Sequence, residues 1–346
     1  MNITVVGAGI IGCAAAYELA SRGARVRVVD PRRPGQGATR ASAGVLAPYI
    51  EGHSDALLKL GACGLGHYDN FIARVAADAG RPIEYRRIGT LQVACDEAEA
   101  NELAHAAVRL TLANVPHSLL DGDAAHRLEP ALAPAVQSAL LIPQHAYVGA
   151  AALTSALVDA AARHGVTFAA EEIAHINPAA GGATVIAAGT WSGRVSPAPV
   201  RPIRGQLLHL EFPVAPIAHI VWGTRGYLVP WQDGSVLVGA TSEDVGFDES
   251  STPEGVRQLL DRAAELVPAA RDARVRDVRV GLRPATSDEL PIIGASSTMR
   301  GVYYATGHYR NGVLLAPLTA MMLADLVLEG RERAEFAFVR PDRFGL

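Results

Sequence analysis

ITVVGAGIIGCAAAYELASRGARVRVVD, residues 3–30, is the stretch whose reading decides the fold. Ile3-Thr4-Val5-Val6 is a short β-branched run suited to a buried strand. Gly7-x-Gly9-x-x-Gly12 turns the chain, and residues 13–21 continue as an alanine-rich helix. Gly23 stops that helix, and residues 25–29 return as a second strand ending at Asp30. In such a βαβ unit the first glycine permits a tight turn, the second lets backbone approach a pyrophosphate, and the third lets helix pack on strand. The helix N-terminus offers N–H groups and a positive dipole end to phosphates, and Asp30 would accept hydrogen bonds from a ribose. Gly7, Gly9, Ile10, Ile11, Gly12 and Asp30, with Pro31 and Arg32 next in the chain, are therefore candidate dinucleotide contacts. The motif does not separate NAD from FAD, since both use it.

Outward from this unit, the bulk numbers bound the remainder. At 346 residues, two domains or one large α/β domain are expected. Apolar residues make up 49% but aromatics only 5%, so the apolar total is mostly alanine and aliphatic, which suits helices packed on a sheet. A net charge of −4 and a pI near 6.3 give no electrostatic lure for nucleic acid or anionic lipid. Cys13, Cys63 and Cys95 are widely spaced, lack metal or disulfide spacing, and point to a reducing, cytoplasmic compartment. The apolar N-terminus has no basic n-region and is interrupted by glycines, unlike a signal peptide. Residues 312–328 carry Asp325 and fall short of the length a membrane span needs. A soluble protein with no membrane or nucleic-acid partner is expected.

Along the chain, a Gly/Ser/Thr-rich loop at 34–44 precedes an expected helix over about 56–79. Residues 82–94 read as a strand pair around Gly89, and 97–113 as a helix. Strands are expected at 138–142, 166–169 and 184–189, with a helix at 150–164. From 205 to 240 the period changes to two: LLHLEF, GYLVPW and SVLVGAT all read as strands. A helix at 254–266, strands at 273–282 and 301–305, and a closing helix at 312–328 complete the reading. The order is interleaved. Residues 1–84, 148–200 and 281–346 form the expected nucleotide-binding domain, and 85–147 with 201–280 the expected substrate-binding, antiparallel domain.

The loop Pro34-Gly35-Gln36-Gly37-Ala38-Thr39-Arg40-Ala41-Ser42-Ala43-Gly44-Val45-Leu46 is poor in bulky side chains, so its N–H groups can lie against a flat cofactor. It resembles the loop after the second strand in D-amino acid oxidase-like FAD-dependent oxidoreductases. Further stretches extend the resemblance over nearly the whole chain. They are Thr184 to Ser192 (TVIAAGTWS), Gly281-Leu282-Arg283-Pro284 with Pro291-Ile292-Ile293-Gly294, and the block GHYRNGVLLAP at 307–317. Gly226-Tyr227-Leu228-Val229-Pro230 followed by Val238-Gly239-Ala240-Thr241 is equally specific. The glycine oxidase branch, the thiamine-biosynthesis type, is the nearest match. The resemblance implies FAD as cofactor and an α/β fold: a Rossmann-like, glutathione reductase-type domain interleaved with an antiparallel-sheet substrate domain. It places cofactor contacts at Thr39, Ala41, Ser42, Ala43, Gly44, Val45 and Leu46, at Ala188, Gly189 and Trp191, at Arg283, and at His308, Tyr309, Arg310, Asn311, Gly312, Val313 and Leu314. Two departures stand out. Between Ile173 and Thr184 about 15 to 20 residues of a family hairpin are missing, leaving Ile173 as the approximate stand-in for a backbone contact to adenine. Val148-Gly149-Ala150 replaces the family's frequent Val-Asp-Pro.

The same resemblance implies an amino acid oxidase. Carboxylate capture needs a planar cation with paired donors, which is arginine's geometry, and Arg283 is the implied clamp. Tyr227, on one strand face with Val229, is the implied second donor. Arg310 opens the helix at 312 and is implied to face the substrate's polar end, a place where the dipole disfavours a cation. His308 is expected to pack against the ring by its backbone rather than serve as a base, because the family passes hydride directly to flavin. His53, His67 and His105 show no metal spacing, and Ser192 lies on no nucleophile elbow, so neither a metal nor a hydrolase triad is expected. Expected partners are a small amino acid, such as glycine or an N-methylated or D-amino acid, and dioxygen, which yields hydrogen peroxide. The alternative is a D-amino acid dehydrogenase handing electrons to a quinone or other carrier. The family is often oligomeric, which makes a homo-oligomer a further expectation.

Overall fold

The computed structural model describes residues 1–52, 54–176, 182–214 and 216–346. His53 and the middle of the shortened 174–183 segment lie outside them. The βαβ unit forms as read. Strand Asn2–Val6 lies parallel to Arg25–Val29 on one side and to Ala183–Ile186 on the other, and helix Ile10–Ser21 connects the first two. These strands belong to a six-stranded sheet in the order Ile292–Ala295, Val302–Thr306, Ala183–Ile186, Asn2–Val6, Arg25–Val29, Thr167–Ala169. All pairings are parallel except the outermost, Ile292–Ala295 with Val302–Thr306. Ala14, Ala15 and Ala16 are fully buried where helix Ile10–Ser21 is sandwiched between helices Gly312–Glu329 and Ala150–Arg163. Alanine's small side chain is what lets three helices approach so closely.

Helix Gly312–Glu329 is longer than read, and it is long and apolar enough to cross a membrane by length and composition alone. Yet 72% of it is buried within this fold, and Asp325 near its end receives an Arg22 hydrogen bond at 2.7 Å. It is a core helix of this sheet layer.

The second sheet has eight strands, in the order Arg274–Ala285, Arg201–Glu211, Ser235–Gly239, Gly226–Pro230, Ile220–Gly223, Thr90–Ala94, Ser138–Ile142, Ser118–Asp121. Every pairing is antiparallel except Ile220–Gly223 with Thr90–Ala94. The period-two pattern explains its two faces. Leu208, Leu228, Val236 and Val238 pack under Leu259 and Ala263 of helix Pro253–Leu266. Leu207, Val229 and Leu237 point the other way and meet Ala41, Ala43 and Tyr147. The small-residue loop therefore lies between the two sheets.

Several elements differ from expectation. The helix expected over 56–79 is two helices, Asp55–Gly66 and Tyr68–Ala79, parted at His67, which ends one and begins the other. The strand pair at 82–94 is not a hairpin. Tyr85–Arg86 joins a three-stranded sheet with Ala146–Val148, while Thr90–Ala94 enters the eight-stranded one, with Gly89 at φ 76° turning the chain between them. The short strands Ser118–Asp121, Ile220–Gly223 and Ile292–Ala295 carry too few residues to show a period. Beyond the last helix the chain continues through 3₁₀ turns, Ala334–Val339 and Pro341–Phe344.

Candidate active site

One cavity of about 1030 Å³ runs between the two sheets. Its dinucleotide end is built largely from backbone. Gly9 is the N-cap of helix Ile10–Ser21 with no side-chain cap, so the first turn faces the cavity. Thr39 Oγ1, from the small-residue loop, accepts the Ile10 N–H at 3.1 Å and pins loop to helix. Asp30 accepts backbone N–H groups from Ala8 and Arg32, each at 2.8 Å, one per carboxylate oxygen. Each oxygen retains lone-pair capacity for a further donor such as a ribose hydroxyl. Arg32 stacks over the Trp191 ring, 4.0 Å from its centroid.

Pro31, Ala41, Ser42, Ala43, Gly44, Val45, Ile173, Ala188 and Gly189 also line this cavity, as do Gly7, Ile11, Asn311, Gly312, Val313 and Leu314. Two expected contacts do not. Gly12 lies behind the turn, where a Cβ would come within 1.9 Å of the Gly7 carbonyl oxygen, so its smallness serves helix–strand packing. Leu46 is fully buried and points into the core of the six-stranded layer. A helix start with a glycine at its N-cap, a carboxylate with spare acceptor capacity and a groove of small side chains form a set of groups that fits FAD.

The far end is built from side chains. Arg283, on strand Arg274–Ala285, donates to the Thr241 carbonyl at 3.0 Å and the Arg204 carbonyl at 3.4 Å. Among the described residues it hydrogen-bonds no carboxylate. Burial pulls its pKa below the ordinary arginine value, as does the Arg310 charge. Tyr227 stacks on Trp222 with centroids 4.6 Å apart. Burial pushes its phenol up to about 12, so the hydroxyl stays protonated and can donate. Arg310 is solvent-accessible at the cavity, and its guanidinium donates to the Tyr309 hydroxyl at 3.3 Å. Tyr309 holds a left-handed φ of 48°, fixed by its N–H donating to the Pro284 carbonyl at 2.8 Å. His308 is buried with Nε2 at 3.0 Å from Thr319 Oγ1, and burial lowers its pKa to about 3. It is neutral at physiological pH and occupied by a structural partner.

Sequence reasoning passed over Gly205 and gave no role to Gly239, two residues that shape this end. A Cβ on Gly205 would come within 2.3 Å of the Arg283 guanidinium nitrogens, and one on Gly239 within 2.4 Å of the Tyr227 ring. Both glycines lie inside strands, where glycine otherwise weakens the element, and that is the signal that could have found them. Glu51 and Trp222 also line the cavity without having been singled out, and Thr241, quoted only within its motif, lines it as well. The Glu51 charge acts on Tyr227, Arg283 and Arg310 alike. No group of three or more potential metal ligands occurs among the described residues.

Residues 2–326 match the family model described as DAO, FAD dependent oxidoreductase. The chain belongs to this family. A bifunctional ThiO/ThiG protein of Nostoc sp. is 35% identical over 95% of the chain, which spans about half (53%) of that relative's length. Among solved structures, glycine oxidase from Geobacillus kaustophilus superposes with a TM-score of 0.93 at 33% identity, covering 98% of this chain and 97% of that one. Iminodiacetate oxidase from Chelativorans sp. superposes with a TM-score of 0.91 at 28% identity, covering 98% of both chains. Family membership makes FAD the cofactor.

Proposed function

We propose that this protein catalyses the oxidative deamination of glycine or a small N-methylated or D-amino acid with dioxygen and water, giving an oxo acid, hydrogen peroxide and ammonia (methylamine from an N-methylated substrate). One observation carries the reading. Arg283 is a half-buried arginine that lines the cavity, with one guanidinium nitrogen held by two backbone carbonyls and no carboxylate partner among the described residues. A desolvated guanidinium is complemented best by a carboxylate. Tyr227, protonated, donates to the same group. Arg310 supports the substrate's polar end, and its positive charge is offset by Glu51, so a zwitterion suits this pocket better than a simple acid.

Bound FAD would supply the hydride acceptor for the substrate α-carbon, with dioxygen as the final electron acceptor. The chain's own contribution is to grip the acid group, aim the Cα–H toward the cofactor groove, and exclude water with Trp222 and the apolar sheet face. Neutral His308, tied to Thr319, takes no proton in this scheme. The names of the glycine and iminodiacetate oxidase relatives support a substrate that is a glycine or an N-substituted glycine.

The test is direct. The FAD-loaded protein is mixed anaerobically with glycine, sarcosine and small D-amino acids, and peroxide is then measured in air. Bleaching of the flavin by at least one of them, with stoichiometric peroxide in air, is expected. Bleaching without peroxide would indicate a dehydrogenase using another carrier. No bleaching by any amino acid refutes the reading.

A further inference from the structure

Behind the Arg283 guanidinium lies a buried polar network that the reaction itself does not use. The two carbonyls that accept from Arg283 belong to Thr241 and Arg204, and both residues are anchored by one carboxylate. Glu243 Oε1 accepts from the Thr241 hydroxyl at 2.6 Å and from Gln206 Nε2 at 2.8 Å. Glu243 Oε2 accepts from Arg204 Nη2 at 2.5 Å. Backbone bonds lock the same residues together: Arg204 N–H to the Glu243 carbonyl at 2.8 Å, Glu243 N–H to the Arg204 carbonyl at 3.0 Å, and Thr241 N–H to the Gln206 carbonyl at 3.2 Å. Arg204, Gln206 and Thr241 are buried at 4%, 0% and 3% exposure. Burial alone would raise the Glu243 carboxyl. The hydrogen bonds from Arg204, Thr241 and Gln206 outweigh it and hold the pKa below the usual carboxylate range, so the anchor is ionised.

The segment carrying this anchor continues to the other end of the cavity. Asp248 accepts from Arg204 Nη1 at 2.5 Å, Phe247 packs against Trp191 with centroids 5.9 Å apart, and Glu249 pairs with Arg32 at 3.1 Å. Residues 241–249 thus form a strap from the carboxylate arginine to the dinucleotide mouth.

We propose that Glu243 is a positioning residue: it fixes the Thr241 and Arg204 carbonyls, and through them the direction in which Arg283 presents its guanidinium to a carboxylate. This rests on the reading that Arg283 binds the substrate's acid group. A shift of those carbonyls lets the guanidinium rotate away, which weakens ground state and transition state alike, so KM rises while kcat holds.

The test uses the FAD-loaded enzyme and acetate as a non-reacting carboxylate, followed by perturbation of the flavin spectrum. In Glu243→Gln, loss of one charge-assisted anchor is expected to raise the acetate Kd and the substrate KM together by about tenfold, with kcat within about threefold. Asp248→Asn, which removes an Arg204 partner that does not touch Thr241, shifts acetate by no more than about twofold. Should Glu243→Gln fail to fold, Thr241→Val reads the same link and Thr241→Ser restores it. Acetate affinity unchanged in Glu243→Gln or Thr241→Val, or lowered equally in Asp248→Asn, overturns the proposal. Acetate needs no turnover, so this result stands apart from failure of the oxidase reading: a wild-type protein that binds acetate, loses it in Arg283→Ala, yet oxidises no amino acid fails only the latter.

Discussion

The two ends of the cavity are built on different principles. The dinucleotide end depends on a helix start with glycine at its N-cap, a carboxylate held by two amides, and a loop of glycine, alanine and serine. The far end, where the proposed substrate carboxylate would bind, depends on large, partly charged side chains: Arg283 and Tyr227, seated against glycines on neighbouring strands, and Arg310. A backbone-built site tolerates much change in side chains but little in main-chain path. A side-chain-built site is the reverse: each member is removable, and each removal costs a defined interaction. The comparison predicts that mutations at the two ends should separate cofactor affinity from substrate affinity.

The largest separation is expected from Arg283→Ala. Truncating one partner of a desolvated charge pair costs about 3–5 kcal/mol, or roughly 10³-fold in KM, while FAD remains bound. Steady-state kinetics beside the flavin spectrum read both at once. Loss of FAD in this variant, or kinetics near wild type, would break the distinction between the ends. Next come two glycines that should respond oppositely. Gly205→Ala places a methyl against the Arg283 guanidinium and is expected to raise KM by about 10- to 100-fold with FAD retained. Gly7→Ala puts a side chain at φ 109° and 2.3 Å from the Ala187 carbonyl oxygen, so the flavin should be lost first.

This contrast also explains what could be read in advance. The dinucleotide end lies in consecutive residues, 7–12 and 39–45, whose spacing alone carries the physics, and the six-stranded sheet around it follows from the same βαβ pattern. The far end is assembled from positions 205, 227, 239 and 283, brought together by strand register (Tyr227 opposite Gly239, and Gly205 opposite Gly281 two residues before Arg283), with Arg310 added from the turn before helix Gly312–Glu329. No local period announces such a pairing. Arg283, Tyr227 and Arg310 were singled out through family resemblance, and the fold brings all three to one end of the cavity. Gly205 and Glu243 were not, and Gly239 was quoted only within a motif, because their contacts exist only once the sheet is formed. Gly12 and Leu46 do not line the cavity for a related reason: a motif marks a stretch of chain beside a cofactor without saying which of its residues face it.

Acid should sharpen the comparison further. His145 is fully buried, stacked on Tyr49 with centroids 5.6 Å apart, and neither ring nitrogen has a hydrogen-bond partner among the described residues. Tyr49 sits on the short helix Pro48–Glu51 that brings Glu51 to the carboxylate end. Burial lowers the His145 pKa to about 3, below the ordinary value of 6.5. Between these values the unfolded chain binds the proton and the folded one does not. Stability from this residue is therefore complete above about pH 6.5 and is lost as pH falls toward 3, by up to about 1.4 kcal/mol per pH unit. His145→Phe keeps the stack and removes the titration. Its denaturant midpoint should match wild type near pH 7, exceed it near pH 4.5, and leave FAD binding unaltered; equal acid sensitivity in both proteins would remove His145 as the cause.

The smallest effect is expected where the two ends touch. Glu249 pairs with Arg32 at 3.1 Å, with both side chains more than a third exposed. An exposed pair of this kind contributes about 0.2–1 kcal/mol, so Glu249→Gln should weaken FAD by only about two- to fivefold. Its value lies in the second reading. If the strap from 241 to 249 moves as one piece, the acetate Kd of the FAD-saturated variant should rise by a similar small factor, although Glu249 lies at the dinucleotide mouth. If acetate binding is unchanged, the link stops at Asp248, and the two ends share a cavity without sharing an equilibrium. High salt supplies the control. Screening removes an exposed pair but leaves the buried Glu243 anchor, so the wild-type protein in about 1 M salt should behave like Glu249→Gln in FAD affinity and unlike Glu243→Gln in carboxylate affinity.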